Sequence, residues 1–181
     1  MRMTTIGVLS DTHGYLDKRI MEHFSTCDEI WHAGDIGSME VLQTLREFRP
    51  TRAVYGNMDS GDVRYSLSEF YRFRVEDVNV LMTHIGGYPG RYNPWLLPKF
   101  RESALLKAGK QEAENGQRPI DLFVCGHSHI LKVQYDHTYG FLTMNPGAAG
   151  KQGWQTVQTL LRFVIDGKDI RDLEVIELGR K

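Results

Sequence analysis

The sequence predicts an α/β fold in which two β-sheets pack together with helices on the outside, carried by one domain over residues 1–181. Three observations predict it. Apolar strand runs alternate with helix-period runs through the first third of the chain. A hairpin pattern follows between residues 69 and 83. The last third is almost wholly strand-like. A chain of 181 residues with 41% hydrophobic content can bury a sizeable core.

The elements follow in order. Thr5–Ser10 reads as a buried strand, Lys18–Phe24 as a short helix after a turn, and Glu29–Ala33 as a second strand. Ser38 can cap a helix running to Phe48, because Met39, Leu42, Leu45 and Phe48 share one face and Pro50 stops its continuation. Arg52–Tyr55 is a third strand, completing the rhythm of parallel βαβ units. Glu69–Val75 and Asn79–Thr83 alternate about a Glu76-Asp77 turn, as antiparallel strands do. A helix is expected over Pro98–Ala113 and a buried strand over Leu122–Cys125. Ile130–Asp136, Gly140–Met144, Thr156–Ile165 and Asp169–Glu177 are expected strands, with a turn at Gly167.

Composition excludes several classes. Lys+Arg total 22 against 23 Asp+Glu, a net charge of −1, which gives no basis for broad attraction to nucleic acid or an anionic membrane. No apolar run approaches a membrane span, and the N-terminal strand is too short for a signal-peptide core, so a cytoplasmic location is expected. Cys27 and Cys125 stand far apart, outside any Cys-x-x-Cys pair, and read as buried thiols.

The chemistry-bearing residues come directly after the expected strands: Asp11-Thr12-His13, Gly34-Asp35, Gly56-Asn57-Met58-Asp59, His84 and Gly126-His127-Ser128-His129. Sites in α/β sheets form outside the carboxyl ends of strands, so these ends can converge. Two Asp, one Asn and four His suit divalent transition metals, and the absence of cysteine argues against a thiolate site. Seven ligands exceed one tetrahedral ion and suit two ions sharing a carboxylate. Each motif alone occurs by chance; their ordered combination carries the weight.

That order resembles the calcineurin-like metallophosphoesterases, and the short chain is similar to their small prokaryotic, YfcE-like phosphodiesterase branch. The motifs span roughly residues 5–150. The resemblance implies a four-layer αββα sandwich with two mixed β-sheets flanked by helices. It implies a first metal held by Asp11, His13 and His129, a second held by Asn57, His84 and His127, and Asp35 bridging both, with Asp35, Asn57 and His84 in the catalytic set. The implied cofactors are two divalent ions, manganese first, with iron, zinc or nickel as alternatives. The implied reaction is hydrolysis of a small phosphate ester, most simply a diester and nucleotide-like among the options, by a hydroxide bridging the metals. Homo-oligomers are common among small members. The alternative it implies is a catalytically weak scaffold binding a protein partner, as the retromer subunit of the superfamily does.

Departures from the family pattern are visible. Many members have His after the motif Asn, where this chain has Met58, which cannot donate a proton at neutral pH; Asp59 is a candidate acid whose simpler reading is a turn residue. The long stretch from His84 to His127 carries Arg91, Tyr92, Trp95 and Arg101; it reads either as a rim that contacts substrate, with Arg91 on the phosphate, or as a surface loop leading into a helix. His32 reads as packed or supporting, His23 and His137 as surface residues, Trp31 and Trp154 as core or edge aromatics, and Asn145-Pro146-Gly147 as a supporting turn.

Overall fold

The computed structural model describes residues 3–113 and 116–180. The first sheet contains β1 (Thr4–Leu9), β2 (Glu29–His32), β3 (Thr51–Ala53), β11 (Val157–Asp166) and β12 (Asp169–Arg180). Its order is β12-β11-β1-β2-β3, with β1, β2 and β3 parallel and the two C-terminal strands antiparallel. The second sheet, β4-β5-β8-β10-β9, is built from β4 (Phe70–Val75), β5 (Val78–Thr83), β8 (Leu122–Val124), β9 (Leu131–Asp136) and β10 (Phe141–Pro146). Here β5, β8 and β10 are parallel, while β4 and β9 close the edges antiparallel.

The period-2 alternation of the strands decides the layering. On β1, Ile6 and Val8 face Val80, Met82, Leu122 and Val124 of the other sheet, forming the core between the sheets. Leu9 points the other way, toward α1 (Lys18–His23) and α2 (Met39–Phe48), where Ile20, Phe24, Leu42 and Leu45 are buried. On the far side, Leu81, Phe123 and Phe141 pack against Phe100 of α4 (Leu97–Lys107). The result is the four-layer αββα sandwich with two mixed sheets that the resemblance implied. Asp17 and Ser38 cap α1 and α2, accepting from the N–H groups of Arg19 and Val41.

The structure corrects several boundaries. The helix expected over residues 98–113 ends at Lys107, because Gly109, at φ +64°, closes a Schellman motif in which its N–H reaches Leu106 O and that of Lys110 reaches Leu105 O. A short helix α3 (Gly61–Ser66) and a small hairpin of β6 (Gly87–Tyr88) and β7 (Arg91–Tyr92) lie where no periodic pattern marks an element. Trp31 is fully buried between the sheets as expected, but Trp154 is fully exposed on a loop and belongs to neither core nor edge.

Candidate metal centre

The parallel strands of both sheets end on the same side, and the five motif loops meet there. A ladder of backbone hydrogen bonds joins loop to loop: Asp11 N–H to Gly34 O (2.9 Å), His13 N–H to Asp35 O (3.0 Å) and Gly126 N–H to His84 O (3.0 Å), the last linking β8 to β5. Seven non-glycine residues among those described have positive φ, and five of them are Asp11, His13, Asp35, His127 and His129. Such backbone is costly for ordinary side chains and is held only where surrounding contacts over-determine it. At three of the five strand ends, those of β1, β2 and β8, such a turn carries a ligand-type side chain.

The six acidic and imidazole residues form two groups, Asp11 with His13 and His129, and Asp35 with His84 and His127. The groups abut. Asp35 Oδ2 lies 3.1 Å from His84 Nε2 and 3.9 Å from His13 Nε2. Asp11 Oδ1 lies 3.1 Å from His129 Nε2 and 3.8 Å from His84 Nε2. Asn57 is exposed and shares a cleft wall with His84. All seven sequence-predicted residues therefore sit in the five converging loops. Arg91 is exposed on β7 and does not line the cleft beside Asn57 and His84.

Supporting contacts aim the ligand atoms. His84 Nδ1 donates to Ala33 O at 2.7 Å, and His129 Nδ1 donates to Gln155 Oε1 at 2.9 Å, which leaves each Nε2 lone pair directed at a carboxylate oxygen. Ser10 Oγ and the His127 N–H donate to Asp11 Oδ2 at 2.6 and 3.1 Å, so Oδ1 alone faces the centre. Asp11 Oδ1 and His84 Nε2 are buried without a hydrogen-bond partner. A buried lone pair facing a carboxylate is costly unless a cation or proton lies between them. This donor set of carboxylates and imidazoles fits divalent metal ions.

The electrostatics agree. Burial by itself would push His84 down, but the Asp35 carboxylate beside it, with Asp11, outweighs burial and raises its pKa. Burial opposes ionisation of Asp35, yet contact with His84 and the Met58 N–H (2.8 Å from Oδ1) hold its pKa below the usual carboxylate range. Burial and the neighbouring His84 lower that of His127. The shifts of Asp35 and His84 favour their charged forms, and that of His127 favours the neutral imidazole.

The residues around the centre take defined roles. Asp59 is buried and accepts N–H bonds from Ile36 (3.1 Å), Gly37 (2.8 Å) and Gly56 (2.8 Å), so it staples the third motif loop to the Asp35 loop, as the turn reading expected. Met58 is 65% exposed. His32 accepts from Gly34 N–H through Nδ1 and donates through Nε2 to Thr12 Oγ1, whose own proton goes to Ile36 O; burial holds its pKa down at about 4, so it stays neutral. Asn145 donates to Gly126 O and Ser128 Oγ and accepts from Gly147 N–H, which bears out its supporting role. Gly34 has φ +96°, and a Cβ there would stand 2.6 Å from the His84 ring. Cys27 and Cys125 are free and buried, their thiols pushed up to about 11 and about 12 by burial. Sequence reasoning missed Gln155, which lies outside every motif and is 26 residues from the histidine it orients.

Of the segment between His84 and His127, Tyr92, Leu96 and Phe100 are buried in the outer layer, and Arg101 is exposed. Trp95 reaches the cleft beside Asn57 and His84.

A divalent-metal centre at the strand ends of a four-layer αββα sandwich defines the class of protein. The chain belongs to the calcineurin-like phosphoesterase superfamily, whose domain model matches residues 3–168. It is 34% identical over 182 aligned residues to a probable metallophosphoesterase of Methanothermobacter thermautotrophicus, covering 96% of this chain and 92% of that one. Among solved structures it resembles Vps29 of Chaetomium thermophilum with a TM-score of 0.67 at 15% identity, covering 98% of this chain and all of that one. It also resembles wild-type Vps29 of Entamoeba histolytica complexed with zinc, with a TM-score of 0.63 at 15% identity over 96% and 98% of the two chains. Those two likenesses show the fold. Members of this family depend on divalent metals, and the chain is a phosphoesterase by family. No helix among the described residues is long and apolar enough to cross a membrane.

Proposed function

We propose that the protein is a metal-dependent phosphodiesterase working through a dinuclear centre, with manganese as the working metal and a small phosphate ester as substrate. One observation carries this reading: Asp35 Oδ2 lies between a histidine of each group, 3.9 Å from His13 and 3.1 Å from His84. A carboxylate so placed can serve two ions at once. Asp11, His13 and His129 would hold one ion, and Asn57, His84 and His127 the other, with Asp35 shared. When bound, two divalent ions supply Lewis acidity that activates water and draws charge from phosphate oxygens.

The chain's own residues do the rest. Ser10, Gln155 and Ala33 O fix Asp11, His129 and His84, so little reorganisation accompanies substrate binding. The Met58 side chain provides no proton to a leaving group, which favours esters whose leaving groups are already stable. The experiment is hydrolysis of bis(p-nitrophenyl) phosphate by chelator-stripped protein, with and without added Mn²⁺, beside a measured metal-to-protein ratio. Restored turnover with a ratio near two supports the reading. A ratio near one counts against the dinuclear centre.

A second reading is a scaffold that keeps its metals for structure or partner binding. The exposed Met58, standing where many members have histidine, favours it. Two bound metals without turnover would support it.

A further inference from the structure

The centre has an open flank beside Asn57 and His84. A cleft of about 240 Å³ there is walled by Tyr55, Arg64, Glu69 and Trp95. The Arg64 guanidinium lies over the Tyr55 ring, 4.1 Å from its centroid, and forms no ion pair among the described residues. Tyr55 in turn donates to the Glu69 carboxylate at 3.4 Å. Trp95 is 37% exposed and is held from behind by Phe70, edge to face with ring centroids 4.4 Å apart. A partly exposed indole on a cleft wall can serve as a stacking platform. The guanidinium offers donors and Glu69 an acceptor along the same wall.

The size of the cleft limits the ligand. At about 240 Å³ it falls below the range of drug-sized pockets and suits one ring system. A bare phosphate needs no aromatic wall, and a saturated hydrocarbon group would bring no hydrogen-bonding atoms to Arg64 or Glu69. A planar ring bearing both donors and acceptors satisfies all three elements.

We propose that this cleft is a subsite for one heteroaromatic base of a nucleotide-like phosphate ester, stacked on Trp95 with its edge hydrogen-bonded by Arg64 and Glu69. The inference rests on the phosphoesterase reading and moves the specificity contact from Arg91 on β7 to Arg64 on α3 and Trp95 ahead of α4.

The test is calorimetric titration of Mn²⁺-loaded protein with adenosine monophosphate and with ribose 5-phosphate, which carry the same phosphate and differ by the base. The wild type should bind the nucleotide about tenfold more tightly, the scale of one base stacked on an aromatic side chain. Trp95→Ala and Arg64→Ala should each bring that ratio to within about threefold, whereas Trp95→Phe, which keeps a π-face, should retain most of it. Equal wild-type affinities would overturn the subsite while leaving the phosphoesterase reading standing. A ratio unmoved in both alanine variants would overturn its location. No binding of either phosphate to metal-loaded protein would overturn the subsite together with the reading it rests on.

Discussion

Replacing Asp59 separates two roles that its sequence position leaves open. Its Oδ2 accepts from Ile36 and Gly56 at 3.1 and 2.8 Å, and its Oδ1 from Gly37 at 2.8 Å. Ile36 and Gly37 belong to the Asp35 loop and Gly56 to the third motif loop. In Asp59→Asn one oxygen becomes an NH₂ group facing the Gly37 N–H or its neighbours, so at least one buried donor loses its acceptor and meets another donor. An unsatisfied buried group costs about 1–3 kcal/mol, and bonds to a charged acceptor are at the upper end, so a loss of about 2–3 kcal/mol is expected. Asp59→Ala strands all three donors and should cost about 4 kcal/mol or more. The assay is urea unfolding of metal-free protein, paired with metal affinity and with turnover on esters of good and poor leaving groups. As a staple, Asp59 should lose stability and metal affinity together, with both substrates falling alike. A general acid would instead show unchanged stability and a loss confined to the poor leaving group. That second pattern, or a destabilisation below about 1 kcal/mol, would refute the reasoning.

Other consequences can be checked separately. Gln155→Ala removes the acceptor that orients His129 Nδ1 (2.9 Å) and should weaken metal affinity by about ten- to a hundredfold, read by competition with a chromogenic chelator. Phe100→Ala empties a fully buried site ringed by Tyr92, Phe123 and Phe141 and should cost about 3–5 kcal/mol in chemical denaturation, while Mn²⁺ stoichiometry is retained under native conditions. His32 has a folded pKa held at about 4 by burial, below its ordinary value of 6.5. The unfolded chain therefore binds the proton first: the stability is complete above pH 6.5 and is lost as pH falls toward 4, by on the order of 3 kcal/mol. Unfolding midpoints of metal-free protein across that window should fall for the wild type and fall less for His32→Gln.

Much of the fold was legible because its signals are local. Ile6 and Val8 alternate with Gly7 and Leu9, and that period alone separates the inter-sheet face from the helix face of β1. Ser38, the apolar stripe behind it and Pro50 mark α2 in the same way. The end of α4 was misjudged by six residues, because helix-forming residues continue past Lys107 and only the left-handed Gly109 shows where the backbone turns away. Trp154 was misplaced because hydrophobicity says nothing of whether a neighbour is present to cover the ring.

The sequence by itself determined the ligand types, their order and their attachment to strand ends, since each depends on a few adjacent residues. Tertiary structure alone decided their distances. Asp11 meets His129 across more than a hundred residues because β1 and β8 end on the same side of two different sheets. Likewise β11 returns to pair with β1, from Thr4↔Ile165 to Val8↔Leu161. Asp59 finds its three donors, Gln155 its histidine, and Arg64 and Trp95 a common cleft only once the loops are brought together. Strand pairing and loop contact depend on complementary surfaces distant in the chain, and no local period encodes which surfaces will meet.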